Sequence, residues 1–279
     1  MDPMHSPLKA EIILIGNELL LGKVKDTNGV WLIEQLLEYG CFVTQITTIP
    51  DHLESIAQTI RSAIDRKPRF ILTSGGLGPT FDDMTMEGMA LGLGVPLEQD
   101  MMALEMIRQR YAEIKNVLSP HLLDKVMTHA RVKMSYLPRG AKPLKNPEGA
   151  APCVRYDVPG QQTTIFCMPG IPKELMAIFK SHIAPVVAAE RVAYFHESFF
   201  SKGVGESDMA DFVSQLMRNF PGIWIKSHPK GRGTLMIEWE ITSFGMDQSQ
   251  AGINKVLLAL QKEILRLGGK INKTENFDN

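Results

Sequence analysis

The sequence predicts an α/β domain built on a mostly parallel sheet, followed by a small α+β domain. Three observations predict it. Apolar runs alternate with amphipathic stretches in the first 80 residues, a glycine-rich turn closes the third run, and composition shifts near residues 188–191. Alternation of this kind marks strands joined by helical crossovers.

The first run, Glu11-Ile12-Ile13-Leu14-Ile15-Gly16, reads as a central strand buried on both faces. Asn17-Glu18 follows directly, where open α/β sheets place ligand contacts. Asp26-Thr27-Asn28 opens a helix that carries Trp31, Leu32, Leu36 and Leu37 and ends at Gly40. Asp26 and Asn28 read first as caps; Glu18, set between apolar runs, has no obvious packing role. Residues 42–49 alternate as a second strand. Asp51 with Glu54 forms a capping-box-like start to a helix whose apolar face is Leu53, Ile56, Ala57, Ile60 and Ile64. Arg69 to Thr73 is the third strand, giving βαβαβ with right-handed crossovers.

That strand delivers Ser74-Gly75-Gly76-Leu77-Gly78-Pro79-Thr80-Phe81-Asp82-Asp83. Glycines 75, 76 and 78 let the backbone approach a ligand closely. Consecutive N–H groups beside a helix N-terminus form an anion pocket. Asp82 and Asp83 would repel a phosphate unless a divalent cation lay between, since hard cations take carboxylate and phosphate oxygens together. The competing reading is a plain tight turn with an aspartate capping the next helix. Glu18 and the aspartate pair both follow parallel strands, so both belong to one edge of the sheet.

Helices are expected over residues 84–93, 101–115 and 120–131, the second turning Met101, Leu104, Ile107, Tyr111 and Ile114 one way. The methionines read as packing. His121 and His129 read as helix residues without ligand-spaced partners. Residues 138–152 form a Pro- and Gly-dense connection, either irregular or a binding loop in which Asn146 and the Gly149 backbone meet a ligand. A strand over 162–167 runs into Met168-Pro169-Gly170-Ile171-Pro172-Lys173-Glu174, a strand–turn–helix with a second anion-friendly N-terminus. Glu174 serves the helix dipole or faces the site; Lys173 is solvated or offsets phosphate charge.

Beyond residue 188 the pattern is β-α-β-β-α. A strand over 193–202 is followed by the turn Gly203-Val204-Gly205-Glu206-Ser207 and a helix with Met209, Phe212, Val213 and Leu216 inward. Then come a strand over 223–227, a glycine-rich turn over 230–233, an alternating strand with Leu235, Ile237, Trp239 and Ile241, and a last helix with Ile253, Val256, Leu257, Leu260 and Ile264. The expected domains are 8–188 and 189–271, with a disordered tail over 272–279. A KH-type RNA module shares this pattern, but its GxxG clamp is missing at Gly203 to Glu206 and the domain is not strongly basic, so nucleic acid is not expected.

Composition agrees. The 279 residues are 44% hydrophobic and 22% charged, with net charge -1 and pI about 6.7, a soluble globular profile rather than a nucleic-acid or membrane-surface binder. No apolar run approaches the ~20 residues that span a bilayer, and the polar N-terminus is unlike a signal peptide. Cys41, Cys153 and Cys167 are scattered without a CxxC pair, which argues against zinc or disulfides and for a reducing, cytoplasmic setting.

Taken together, Gly16-Asn17-Glu18-Leu19-Leu20-Leu21-Gly22, Asp26-Thr27-Asn28, Gly75 to Asp83, Asn146-Pro147-x-Gly149, and Pro169-Gly170-Ile171-Pro172 with Glu174 and Met176 resemble the competence/damage-inducible protein A (CinA) family. The resemblance extends to Gly203–Ser207 and covers nearly the whole chain. It implies a three-layer molybdopterin-binding-like domain, shared with molybdenum-cofactor biosynthesis proteins, and a KH-like second domain. The family's C-terminal amidase domain, which acts on nicotinamide mononucleotide, is expected to be missing. Phe81 stands where the family usually has proline, and Cys153 where glycine is common.

The resemblance implies a metal-dependent hydrolase of nucleotide diphosphates, splitting ADP-ribose to AMP and ribose 5-phosphate, or FAD at the same bond class. Glu18, Asp82 and Asp83 would act with a divalent metal, magnesium or cobalt, with potassium as a further ion. Gly75, Gly76, Gly78 and Thr80 would hold the diphosphate. Asn28, Asn146 and Gly149 would orient substrate, with Gly170, Lys173 and Glu174 closing the pocket. The alternatives are a pterin-nucleotide binding or adenylyl-transfer protein, and a non-catalytic nucleotide sensor. A homodimer is expected from the apolar and methionine content.

Overall fold

The computed structural model describes residues 8–116, 125–231, 235–245 and 250–277. They form two compact units, residues 8–37 with 41–190 and residues 38–40 with those from 191 onward. In chain order the larger unit runs β1 (Lys9–Ile15), α1 (Asn17–Leu20), α2 (Asn28–Glu38), β2 (Phe42–Ile49), α3 (Leu53–Asp65), β3 (Phe70–Ser74), α4 (Thr85–Leu93), β4 (Leu97–Gln99) and α5 (Met101–Lys115). It continues with α6 (His129–Lys133), β5 (Tyr136–Pro138), β6 (Lys142–Leu144), β7 (Cys153–Asp157), β8 (Thr164–Met168) and α7 (Pro172–Ile178), then a π-helical turn (Phe179–Ile183) and α8 (Ala184–Ala189).

The main sheet has the order β2-β1-β3-β8-β7-β6. The β1–β2, β1–β3 and β3–β8 ladders are parallel, and β7 and β6 add an antiparallel edge. This is the α/β class expected, with a mostly parallel sheet. Every residue of β3 and β8 is buried, so layers cover both faces of the sheet. On one face Ile13, Ile15, Ile71 and Ile165 pack with Ile56 and Ile60 of α3, Met89 of α4 and Ile107 of α5. Helices α3 and α4 approach closely because Gly88 and Gly92 face α3: a Cβ at Gly88 would lie 2.6 Å from Ile56 Cβ. Glu11, buried in β1, is neutralised by Arg66, whose Nε and Nη2 donate at 2.7 and 2.6 Å.

Several sequence expectations are corrected. The 138–152 connection is not wholly irregular: residues 142–144 form the edge strand β6, which pairs with β7 just beyond it, a strand not expected from the sequence; Pro143 is tolerated because β6 is an edge. The 120–131 helix does not run through Arg131. Thr128 caps a new short helix there by accepting the Arg131 N–H, while residues 120–124, with His121, lie outside the described residues. The Asp51–Glu54 capping box does not form: His52 is the N-cap of α3 and makes no side-chain cap bond. Along α5 the fully buried positions are Ala103 and Ile107, whereas Met101 and Ile114 are exposed.

The smaller unit runs β9 (Tyr194–Lys202), α9 (Glu206–Asn219), β10 (Ile223–Lys230), β11 (Met236–Phe244), α10 (Gln250–Arg266) and β12 (Lys270–Asn272). Its sheet is antiparallel, in the order β10-β11-β9-β12. The order is therefore βαββαβ, the ferredoxin-like arrangement, rather than the five-element pattern expected. β12 falls where the tail was expected to begin, pairing Asn272 with Phe200. The expected 230–233 turn and the tail's last two residues lie partly outside the described residues. Trp239 is buried against both helices' apolar residues and donates its indole N–H to Ser201 Oγ at 2.8 Å. Among the described residues no helix is long and apolar enough to cross a membrane.

Replacing Gly88 with valine should cost roughly 1–3 kcal/mol through overpacking against Ile56. Urea unfolding followed by circular dichroism measures this; an unchanged midpoint would contradict the close α3–α4 contact.

Candidate functional site

Parallel strands β2, β1, β3 and β8 send their carboxyl ends to one edge, and a cleft of about 590 Å³ opens there. That volume suits a small-molecule ligand. Gly16 and Glu18 follow β1, Asp51 follows β2, Gly75 to Thr80 with Asp82 and Asp83 follow β3, and Pro169 to Pro172 with Glu174 follow β8. Tyr111, Met134, Ala150 and Ala151 complete the wall.

The glycine loop is fixed at its root. Gly75 has φ +110°, a conformation that favours glycine, and a Cβ there would lie 2.1 Å from Ile15 O. Its N–H donates to Met168 O at 2.9 Å, so this amide belongs to the sheet and is not available to a phosphate, contrary to expectation. Thr85 secures the next residues, its hydroxyl donating to Gly75 O at 2.8 Å and its N–H to Gly76 O at 3.1 Å. Among the described residues the N–H groups of Gly76, Leu77 and Gly78 have no partner, which leaves three consecutive donors for an anion.

Past the loop, Asp83 Oδ2 accepts the Thr80 N–H at 2.8 Å and lies against Gly78, where a Cβ would meet it at 2.5 Å. The Thr80 hydroxyl lies 2.5 Å from both Asp82 Oδ1 and Asp83 Oδ2. One hydroxyl proton serves one carboxylate at a time, so the pair retains unmet demand for positive charge. The Thr80 hydroxyl, its own backbone N–H and the nearby Lys133 hold Asp82 below the usual carboxylate range. Lys133 of α6 also clamps the loop, donating to Thr80 O at 2.8 Å and to Asp83 O. Nothing in the local sequence around Lys133 signals this contact.

Asp51, read from sequence as a cap, is a cleft residue instead. It accepts the Asn17 N–H at 2.7 Å. Partial burial raises its pKa, and Glu18, Asp82 and Asp83 add to the rise, while the Asn17 N–H opposes it. Glu18 folds back over Gly16, where a Cβ would lie 2.5 Å from its Oε1. With Glu174, five carboxylates therefore line the cleft. Among the described residues, however, no three His, Cys, Asp or Glu side chains close into a metal-holding group. An all-protein cage is absent there, whereas two carboxylates with waters and ligand phosphates suffice for a magnesium-like ion.

The remaining predicted residues are supports. Asn28 is buried and off the cleft wall; its Nδ2 donates to Ser74 Oγ at 3.0 Å and to Gly170 O at 2.8 Å, tying the ends of β3 and β8 together. The two loops touch there, since a Cβ on Gly170 would be 3.5 Å from Gly75 Cα. Asn146 accepts the Glu148 and Gly149 N–H groups at 3.0 and 2.8 Å and donates to Ala151 O and Glu174 Oε2 at 2.9 and 2.7 Å. It thus sets Glu174, packed against Gly149, at the cleft rim. Lys173 is largely exposed and pairs with Glu148 at 2.7 Å without lining the cleft. His129 is exposed, and the three cysteines are buried and free, with burial pushing Cys41 and Cys167 up to about 12.

Because the folded state raises the Asp51 pKa, it holds that proton more tightly than the unfolded chain does. The stabilising contribution is present at acid pH and is lost as pH rises through the carboxylate range. Asp51→Asn should therefore melt at or above the wild-type temperature at pH 7, the difference shrinking toward pH 4. A variant less stable at pH 7 than at pH 4, relative to wild type, contradicts the shift.

Residues 11–189 match the family described as a probable molybdopterin binding domain. A protein of Metallosphaera sedula is 35% identical over 272 residues, covering 96% of this chain and 98% of its own. One from Aeropyrum pernix is 35% identical over 279 residues, covering 98% and 100%. The solved structure of CinA from Thermoplasma acidophilum, described as of unknown function, is 34% identical with a TM-score of 0.56, covering 64% of this chain and 98% of that one. The chain belongs to the molybdopterin-binding-domain family, with a CinA-type fold in its larger unit.

Proposed function

We propose that the cleft binds a phosphorylated pterin or nucleotide, and that a divalent cation joins Asp82 and Asp83 to its phosphate. One observation carries this reading: three unpaired loop amides and a pair of carboxylates occupy the same cleft. The amides and the α4 N-terminus beyond them favour an anion. The carboxylates favour a cation, and a phosphate–metal pair satisfies both. Membership of the probable molybdopterin binding family supports a pterin as the organic part. When bound, magnesium or cobalt would supply charge neutralisation at the phosphate. The chain's own residues position: Lys133 holds the loop, Asn28 holds β3 to β8, and Asn146 sets Glu174.

A second reading, hydrolysis of a P–O–P bridge in ADP-ribose or FAD, draws on a specific feature. Glu18 and Asp51 add two carboxylates to the cleft beyond the pair beside the glycine loop, more than simple anion capture needs. Adenylyl transfer to a pterin would use the same loop with another acceptor.

Calorimetry with a phosphorylated pterin and with ADP-ribose, with magnesium and with EDTA, tests the binding reading. Magnesium-dependent binding should weaken roughly ten- to a hundredfold in Asp83→Asn, the range of one charged contact. Binding of neither compound overturns the proposal. Metal-dependent release of AMP from ADP-ribose, lost in Asp82→Ala and Glu18→Ala, would favour the hydrolase.

A further inference from the structure

We propose that Tyr111 is the platform on which the cleft takes the planar ring of its ligand, and that Arg131 holds the platform in place. This rests on the phosphate-binding reading above and names the recognition of the ligand's other end. Tyr111, half-buried on α5, borders the cleft beside Met134 and Ala150. The Arg131 guanidinium carbon lies 4.2 Å from its ring centroid, and Arg131 Nη1 is itself anchored on Val126 O at 2.5 Å. A cation over one ring face fixes the ring by attraction to its quadrupole.

The same short segment reaches the acidic loop. Lys133 grips the carbonyls of Thr80 and Asp83, and Met134 lines the cleft two residues from that clamp's neighbour Val132. Residues 131–134 therefore join the aromatic wall to the phosphate loop as one piece. A ligand whose phosphate meets the Gly76 to Gly78 amides has this wall in the same cleft. Tyr111, Met134, Ile15 and Ala150 offer no charge to a second phosphate; they suit a flat apolar-faced heterocycle, which an aromatic ring accepts by stacking. Stacking does not use the phenol hydroxyl, so the ring, not the OH, is the recognising group.

Calorimetry of the whole chain with magnesium, using ADP-ribose and pyrophosphate as probes, tests this. Wild type should bind ADP-ribose more tightly than pyrophosphate. Tyr111→Ala should lose about tenfold or more in ADP-ribose affinity, the scale of one stacked base, with pyrophosphate affinity unchanged. Tyr111→Phe should match wild type for both, and Arg131→Gln should weaken ADP-ribose alone. Unchanged ADP-ribose binding in Tyr111→Ala overturns the proposal, as does an equal loss for both probes or a Tyr111→Phe as weak as Tyr111→Ala. Wild type that binds pyrophosphate but gains nothing from the ring overturns it while leaving the phosphate site standing. Wild type that binds neither probe removes the phosphate reading and this inference with it.

Discussion

The site depends on one contact at the root of the glycine loop. Gly75 is wedged between the ends of β1 and β8, its N–H bonded to Met168 O and its α-carbon against Ile15 O. No side chain fits between those backbones, and the positive φ turns the chain upward over the sheet edge. From that pivot the amides of Gly76, Leu77 and Gly78 are left without partners among the described residues, because the sheet ladder has ended and α4 has not begun. Thr85 and Lys133 then fix the far side of the turn. The proposed phosphate cradle would thus be a consequence of how three strand ends meet.

The acidic side of the cleft follows from the same topology. Four parallel strands point their carboxyl ends one way, so the residues that follow β1, β2 and β3 deliver Glu18, Asp51, Asp82 and Asp83 together. Partial burial raises the pKa of Asp51, and repulsion from Glu18, Asp82 and Asp83 adds to the rise. Asp82 shifts the other way because the Thr80 hydroxyl and its own backbone N–H bond it, with the nearby Lys133 charge adding a smaller effect. Such an arrangement is unfavourable when left without a counter-charge and favourable once a cation enters.

Much of this was legible in the sequence where local pattern and tertiary role coincide. Buried β1 and β3 announce themselves as apolar runs, and Gly75 to Asp83 as a loop after a strand. Asp51 was not legible, because an aspartate three residues before a glutamate at a helix start looks like a cap, and only the β1–β2 register brings it to Asn17. Asn28 and Asn146 were legible as special but not as buried braces, since their partners lie 142 and 28 residues away. Strands β6 and β7 were hidden by Pro143 and by the charges of Arg155 and Asp157, which pair with each other along the strand. β12 was hidden because three residues beside a polar tail carry no period; its pairing with β9 defines it.

In the proposed function, phosphate and metal meet at the glycine loop. The most direct measurement is the amide NMR spectrum of the isotopically labelled chain, titrated with pyrophosphate in the presence of manganese. The earliest paramagnetic broadening should fall at Gly76, Leu77, Gly78 and the Thr80 to Asp83 amides, with Asp51 and Glu18 following. Broadening that begins elsewhere, or that is the same without pyrophosphate and with Asp82 and Asp83 both changed to asparagine, would contradict it.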